Sequence, residues 1–272
     1  MRLALRTALA AGFAMSLAQA ASAQTAAIDT HALPVKDVSF SFEGPFGTYD
    51  RAALQRGFQV YKEVCSACHA LSHIAFHNLD EEGGPGFSEA QAKAIAAGYK
   101  IPAGPNDKGD TVDDKGNPLT RPGILADYFP PPFPNEEAAR ANNGGALPPD
   151  LSMIVKARAG GARYVYSILT GFHMTPPKGF TVTPGKYYNP YFEGWNISMP
   201  NTALTANAVT FSDGTKATIA QEAHDVATFL AWASDPKMEE RKRIGFGVLV
   251  FLVVLSGLLF AAYRKVWADV KH

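Results

Sequence analysis

Both cysteines of the 272-residue chain lie in one five-residue string, Cys65-Ser66-Ala67-Cys68-His69. Two thiols three positions apart on a helical turn can reach the two vinyl groups of one haem and form thioethers. The adjacent imidazole can then turn onto the iron, and C-x-x-C-H is the attachment pattern of c-type haem. The same spacing has two other chemical uses. A redox dithiol belongs in a βαβ context, whereas this string closes a helical pattern in an α-rich stretch. A zinc site needs two further ligands at short spacing, and there is no second cysteine pair. The expectation is one covalently bound haem c on Cys65 and Cys68, with His69 as an axial ligand of the iron.

The other face of such an iron needs a ligand or stays open. Methionines stand at 1, 15, 153, 174, 199 and 238. Met153 falls in a helical pattern and reads as core. Met174 and Met199 both lie in loops next to proline. Histidines 31, 73, 77, 173 and 224 are further donors. From residue types alone Met199, Met174 and the histidines all remain open, and an open sixth position would mean gas binding instead of electron transfer. His69 also needs an acceptor for its second ring nitrogen. The turn Leu147-Pro148-Pro149 offers carbonyls that no helix or sheet claims.

Several helices have to position these groups. Asp50 is a good N-cap, and Leu54, Phe58, Tyr61 and Val64 or Cys65 recur at three- and four-residue steps. Ser88 opens a second helix to about Ala97. Asp150 is expected to cap a helix over Leu151–Ala159, and another runs from Arg163 to Thr170 before Gly171. Ile219 to Ala233 reads as an amphipathic helix with Ile219, Ala223, Val226, Phe229, Leu230 and Ala233 on one side. Asp37 to Phe42 alternates polar and apolar, as a short strand or extended arm would. Between 98 and 149, 17 of 52 residues are Gly or Pro, which excludes regular helix and central strand there. Tyr128, Phe129, Phe133 and Leu147 within it imply that this loop packs on something.

The ends of the chain speak to its place in the cell. Arg2 and Arg6 precede a short apolar run that ends at Ala21-Ser22-Ala23, the layout of a bacterial secretory signal peptide, so residues 1–23 are expected to be cleaved. Ile244 to Tyr263 is an uncharged run of 20 residues. At about 1.5 Å per residue it spans about 30 Å, the thickness of a bilayer's hydrocarbon core. Tyr263 and Trp267 sit where interfacial aromatics collect. Basic residues flank both ends of the run, so orientation rests on the signal peptide: an exported head, residues 24–238, and a membrane anchor over 239–272 whose tail, Arg264–His272, is cytoplasmic. A cut near Met238 should release a soluble head. The chain is neutral overall, yet outside 1–23 and 239–272 it has 17 basic and 22 acidic residues. That balance argues against nucleic acid as a partner and fits a cationic one.

Strings spread over most of the mature chain resemble the cytochrome c1 family, the haem subunits of ubiquinol–cytochrome c oxidoreductase (bc1) complexes. They are Val60–His69, Arg121-Pro122-Gly123 with Asp127–Pro130, Ala138–Asn143, Gly145–Ser152, Tyr187–Phe192, Asp225–Trp232 and Arg241-Lys242-Arg243 before the anchor. The resemblance implies an all-α, cytochrome c-like haem domain with long Gly/Pro-rich loops, plus one C-terminal transmembrane helix. It implies Met199 as the sixth ligand and Arg158 as a partner of a haem propionate. It further implies a chain in the bacterial inner membrane, with its haem domain periplasmic, beside cytochrome b and a Rieske iron–sulfur subunit. That chain would pass single electrons to a soluble or tethered cytochrome c, as the electron-transfer subunit of an oxidoreductase with no catalytic residues of its own, and the acidic balance of the head points to a basic cytochrome c-type acceptor. A cytochrome of another complex, a haem-based sensor and a periplasmic thiol oxidoreductase are the rival readings.

Overall fold

A computed structural model describes residues 29–270; the expected signal peptide lies outside the described residues. Helix α1, Arg51–Glu63, starts where Asp50 accepts hydrogen bonds from the Ala52 and Ala53 amides. Its inner face, Leu54, Phe58 and Tyr61, is almost wholly buried. Helix α2, Glu89–Ala97, is held by a capping box in which Ser88 and Gln91 bond each other's backbone. Strands β1, Lys100–Pro102, and β2, Thr120–Pro122, pair antiparallel, with a proline at the end of each.

Helix α3, Glu136–Asn142, corrects the reading of 98–149 as wholly irregular. The prolines and glycines lie on either side of it, and Asn135 caps it through the Ala138 amide. The rest of the segment does pack. Phe129 is 2% exposed, with its ring 4.4 Å from that of Phe76, while Tyr128 points outward.

Helix α4 is only Ile154–Ala157, not Leu151–Ala159. Asp150 is not its cap. Its carboxylate instead accepts from the Ser72 amide and hydroxyl and from the Ser152 amide. Met153 stands at the open start of this turn and is exposed, contrary to the core position expected of it.

Helix α5, Ala162–Gly171, is followed by a long loop that contains the two-residue strands β3, Tyr187–Tyr188, and β4, Asn196–Ile197. Helix α6, Ile219–Ser234, is buried on all sides from Glu222 onward apart from His224, so it is the central helix and not an amphipathic surface one. Packed against α1, α4 and α5, it brings Val226, Phe229 and Trp232 into the core. Residues 37–40 form an extended arm without strand pairing. Helix α7, Met238–Val266, contains the uncharged run, and no part of that run is buried against the head.

Its first turn belongs to the head. Met238 is buried, Glu239 accepts from the Tyr49 amide and the Arg51 guanidinium, and Lys242 donates to two backbone carbonyls. By contacts, the junction of head and anchor lies near Arg243 rather than at Met238.

Candidate functional site

α1 gives way to a single 3-10 turn, Cys65–Ala67, as the Cys68 and His69 amides both bond back to the Cys65 carbonyl. This tight turn brings Cys65, Cys68 and His69 to the wall of one cavity of about 470 Å³. Val60 and Val64 of α1, Ile154 of α4, Ile168 and Leu169 of α5, and Val226 and Leu230 of α6 give that cavity apolar sides. Burial pushes the Cys65 thiol up to about 12, with Cys68 adding to the shift. A reactive thiol needs the opposite shift, so Cys65 is not set up as a thiolate nucleophile.

His69 is held from the second segment the sequence pointed to. Its Nδ1 lies 2.8 Å from the Pro149 carbonyl oxygen. A carbonyl only accepts, so Nδ1 carries the proton and the neutral ring has its lone pair on Nε2. Burial lowers the His69 pKa, opposed by the Pro149 carbonyl and by Asp150. The turn is fastened further by Leu151 N to the Ala70 carbonyl, 2.9 Å, and by His73 N to Ser152 Oγ, 3.1 Å. Asp150 completes this clasp through Ser72. Sequence reading missed that role, because an Asp before an apolar run looks the same whether it caps a helix or binds a distant turn.

Met199 lines the cavity and packs against both hydrophobic clusters of the head. Asn189 explains how a loop residue is fixed so well. Fully buried, it donates from Nδ2 to the Ile168 carbonyl at 2.8 Å and accepts from the Tyr191 amide. That pins the β3–β4 loop onto α5, and Met199 follows β4 by two residues. Met153 and Met174 are exposed and do not line the cavity. Nor do the other described histidines. His31 bonds Glu193, His77 the Leu125 carbonyl, and His224 stacks on Phe40.

Arg158 stands exposed at the edge of the cavity. Its guanidinium bonds only the neighbouring Ala157 carbonyl, and it has no carboxylate partner among the described residues.

These residues fit a haem. The volume is within the range of cofactor pockets, about 300–1,000 Å³. The walls are apolar, two thiols and an imidazole come from one turn, a thioether comes from a separate loop, and a spare cation sits at the rim.

An α-helical head built around such a cavity defines a haem protein. The Cytochrome C1 family model matches residues 40–270. Cytochrome c1 of Rhodospirillum rubrum is 43% identical over 282 residues, 98% of either chain. Cytochrome b/c1 of Bradyrhizobium diazoefficiens is 52% identical over 248 residues, and the match covers 85% of this chain but only 35% of that protein. The mitochondrial cytochrome b-c1 complex catalytic subunit of Candida albicans is 46% identical over 252 residues, 93% of this chain and 83% of that one. The chain belongs to the cytochrome c1 family.

Proposed function

We propose that this chain is a membrane-anchored c-type cytochrome of a quinol-oxidising bc1 complex. It takes single electrons from a Rieske iron–sulfur protein and delivers them to a basic cytochrome c-type acceptor. The observation that carries the reading is the convergence of Cys65, Cys68, His69 and Met199 on one apolar cavity. A haem held there supplies reversible one-electron chemistry at its iron.

The chain's own residues do the rest. Cys65 and Cys68 would hold a haem through thioethers, and His69 and Met199 would be the side chains that ligate its iron. A methionine thioether favours reduced iron, so such a site would have a high potential. The Pro149 carbonyl fixes the tautomer and ring plane of His69. Arg158 would offset the charge of a propionate. Val226, Leu230, Ile168 and the other apolar walls exclude water, which keeps the site's dielectric low.

Cytochrome b is the natural neighbour in the membrane, and the name of the Bradyrhizobium relative pairs the two cytochromes. In the proposed arrangement residues 1–23 are a removed leader, and the periplasmic head runs from 24 through the first turns of α7 to about Arg243. The rest of the C-terminal segment is the anchor, with its span at 244–263 in the bacterial inner membrane and its tail in the cytoplasm.

Purification from membranes in mild detergent tests the reading. Cytochrome b and a Rieske protein should accompany the chain, and its reduced spectrum should be indifferent to carbon monoxide. A chain that purifies alone and binds carbon monoxide fully would be a ligand-binding module instead.

A further inference from the structure

Residues 42–49 run across the first turns of α7 and are fastened there from both sides. Lys242 Nζ donates to the Phe42 carbonyl at 2.8 Å and to the Gly47 carbonyl at 2.9 Å. Glu239 accepts from the Tyr49 amide at 2.7 Å, and the Tyr49 hydroxyl donates to the Ala231 carbonyl at 3.1 Å. Glu43 turns back to the head, where Arg163 pairs with it at 2.9 Å. The loop therefore presents an uncharged tip, Gly44-Pro45-Phe46, on a backbone that cannot retreat.

Phe46 is 78% exposed, more than any other large apolar side chain among the described residues. Its one aromatic neighbour is Phe246, with ring centroids 6.0 Å apart. Phe246 is the third residue of the uncharged run, so at about 1.5 Å per residue it lies only about 3 Å beyond the run's start. That is the boundary of the hydrocarbon core, where aromatic rings collect. Arg241, Lys242 and Arg243 precede Phe246 by three to five residues, so the charged stretch ends about one turn before it.

We propose that the 43–47 loop is a second membrane contact of the head, with Phe46 inserted into the lipid interface beside Phe246. The occupant is lipid because the uncharged tip touches the span at Phe246, within its first three residues, and so shares the depth of the lipid interface. The inference rests on α7 crossing the bilayer, and the test separates the two.

The full chain is made with Phe46→p-benzoylphenylalanine or, as reference, with Leu252→p-benzoylphenylalanine in mid-span. Each is placed in vesicles of phosphatidylcholine and phosphatidylglycerol and irradiated, and a parallel sample is irradiated in native membranes. Phe46 has almost no packing to lose, so the haem spectrum should be unchanged in both variants. Lipid adducts at 46 of the same order as at 252, in vesicles and in native membranes, are the expected result. Adducts at 252 without adducts at 46 overturn the proposal while leaving the span intact. Absence at both positions overturns the span itself. A protein adduct at 46 in native membranes also overturns the proposal, because the loop would then be a subunit contact.

Discussion

Gly57 sits where α1 crosses α6. A Cβ at this position would meet the Asp225 carbonyl oxygen at 2.0 Å and the Phe229 Cβ at 2.7 Å. Gly57→Ala must push the helices apart, and overpacking of this kind costs about 1–3 kcal/mol. For a chain of this size that is about 2–4 °C of unfolding temperature per kcal/mol, measurable by calorimetry; an unchanged midpoint would show that the crossing has slack. Met199 carries a different kind of test. Met199→Leu keeps an apolar side chain of similar volume in the cavity and leaves Cys65 and Cys68 untouched. Haem should stay attached, the redox potential should fall, and the reduced protein should gain a carbon monoxide response. A variant that keeps both potential and inertness would send the ligand search back to Met174 or a histidine.

α1 and α6 are joined by charge as well as packing. Asp225 on α6 has a fully buried side chain, with Arg56 of α1 at 2.6 Å and Gln221 at 2.9 Å. Arg56 also reaches Asp213 at 2.8 Å. Burial alone would raise the Asp225 carboxyl, but the His224 imidazole 3.8 Å away and hydrogen bonds from Arg56 and Gln221 outweigh it and hold it below the ordinary range. A depressed native pKa stabilises the fold above the unfolded value, about 3.9, and that stability is lost as pH falls through the native value. The unfolding midpoint should therefore drop as pH falls below about 5, and Asp225→Asn should flatten part of that slope. Arg56→Ala strands a buried carboxylate and should cost about 3–5 kcal/mol at neutral pH; denaturant titration would reveal a smaller loss if water reaches the site.

The anchor's first turn gives a further element-level expectation. Cutting after Arg243 should leave a soluble head, because Met238, Glu239 and Lys242 stay with the core they serve. Cutting before Met238 removes a buried side chain and both clamps on residues 42–51. The shorter head should melt earlier, and equal melting points would show the clamps to be idle.

Over the whole molecule, the acid clusters are not equivalent. Glu81 pairs with Lys237 at 3.0 Å, next to the anchor, so the Asp80-Glu81-Glu82 group is partly neutralised on the side facing the membrane. Glu136 and Glu137 begin α3, whose following residue, Asn143, lines the cavity. At about 1.5 Å per residue they lie about 10 Å away along the helix axis. With a basic acceptor, second-order electron transfer should slow as ionic strength rises from about 10 mM to a few hundred, since charge steering is screened over roughly 8 Å at physiological salt. Glu136→Gln with Glu137→Gln should flatten that dependence, and Glu82→Gln should not. A rate indifferent to salt throughout would mean apolar or tethered docking.

Much of this protein could be read from the string of residues. Local chemistry does not depend on what surrounds it: the C-x-x-C-H spacing, the Asp50 and Ser88 caps and the 20-residue uncharged run each act through neighbours in sequence. The Leu147-Pro148-Pro149 turn could be named because prolines leave carbonyls unclaimed and an imidazole beside cysteines needs one, while the structure picks the Pro149 carbonyl. Helix α3 was hidden because glycine and proline were counted over a window and not placed at its ends. Asp150, Gly57, Arg56 and Asn189 act across 21 to 169 positions of chain. Nothing in their immediate sequence records which partner they will meet. The proposed sixth ligand shows the same division. Residue types leave Met199, Met174 and the histidines open, family resemblance favours Met199, and only folding seats Met199 between the two hydrophobic clusters while Met174 lies partly exposed away from the cavity. A ligand across a cavity is chosen by the path of the backbone through space, and that path is set by packing between elements far apart in the chain.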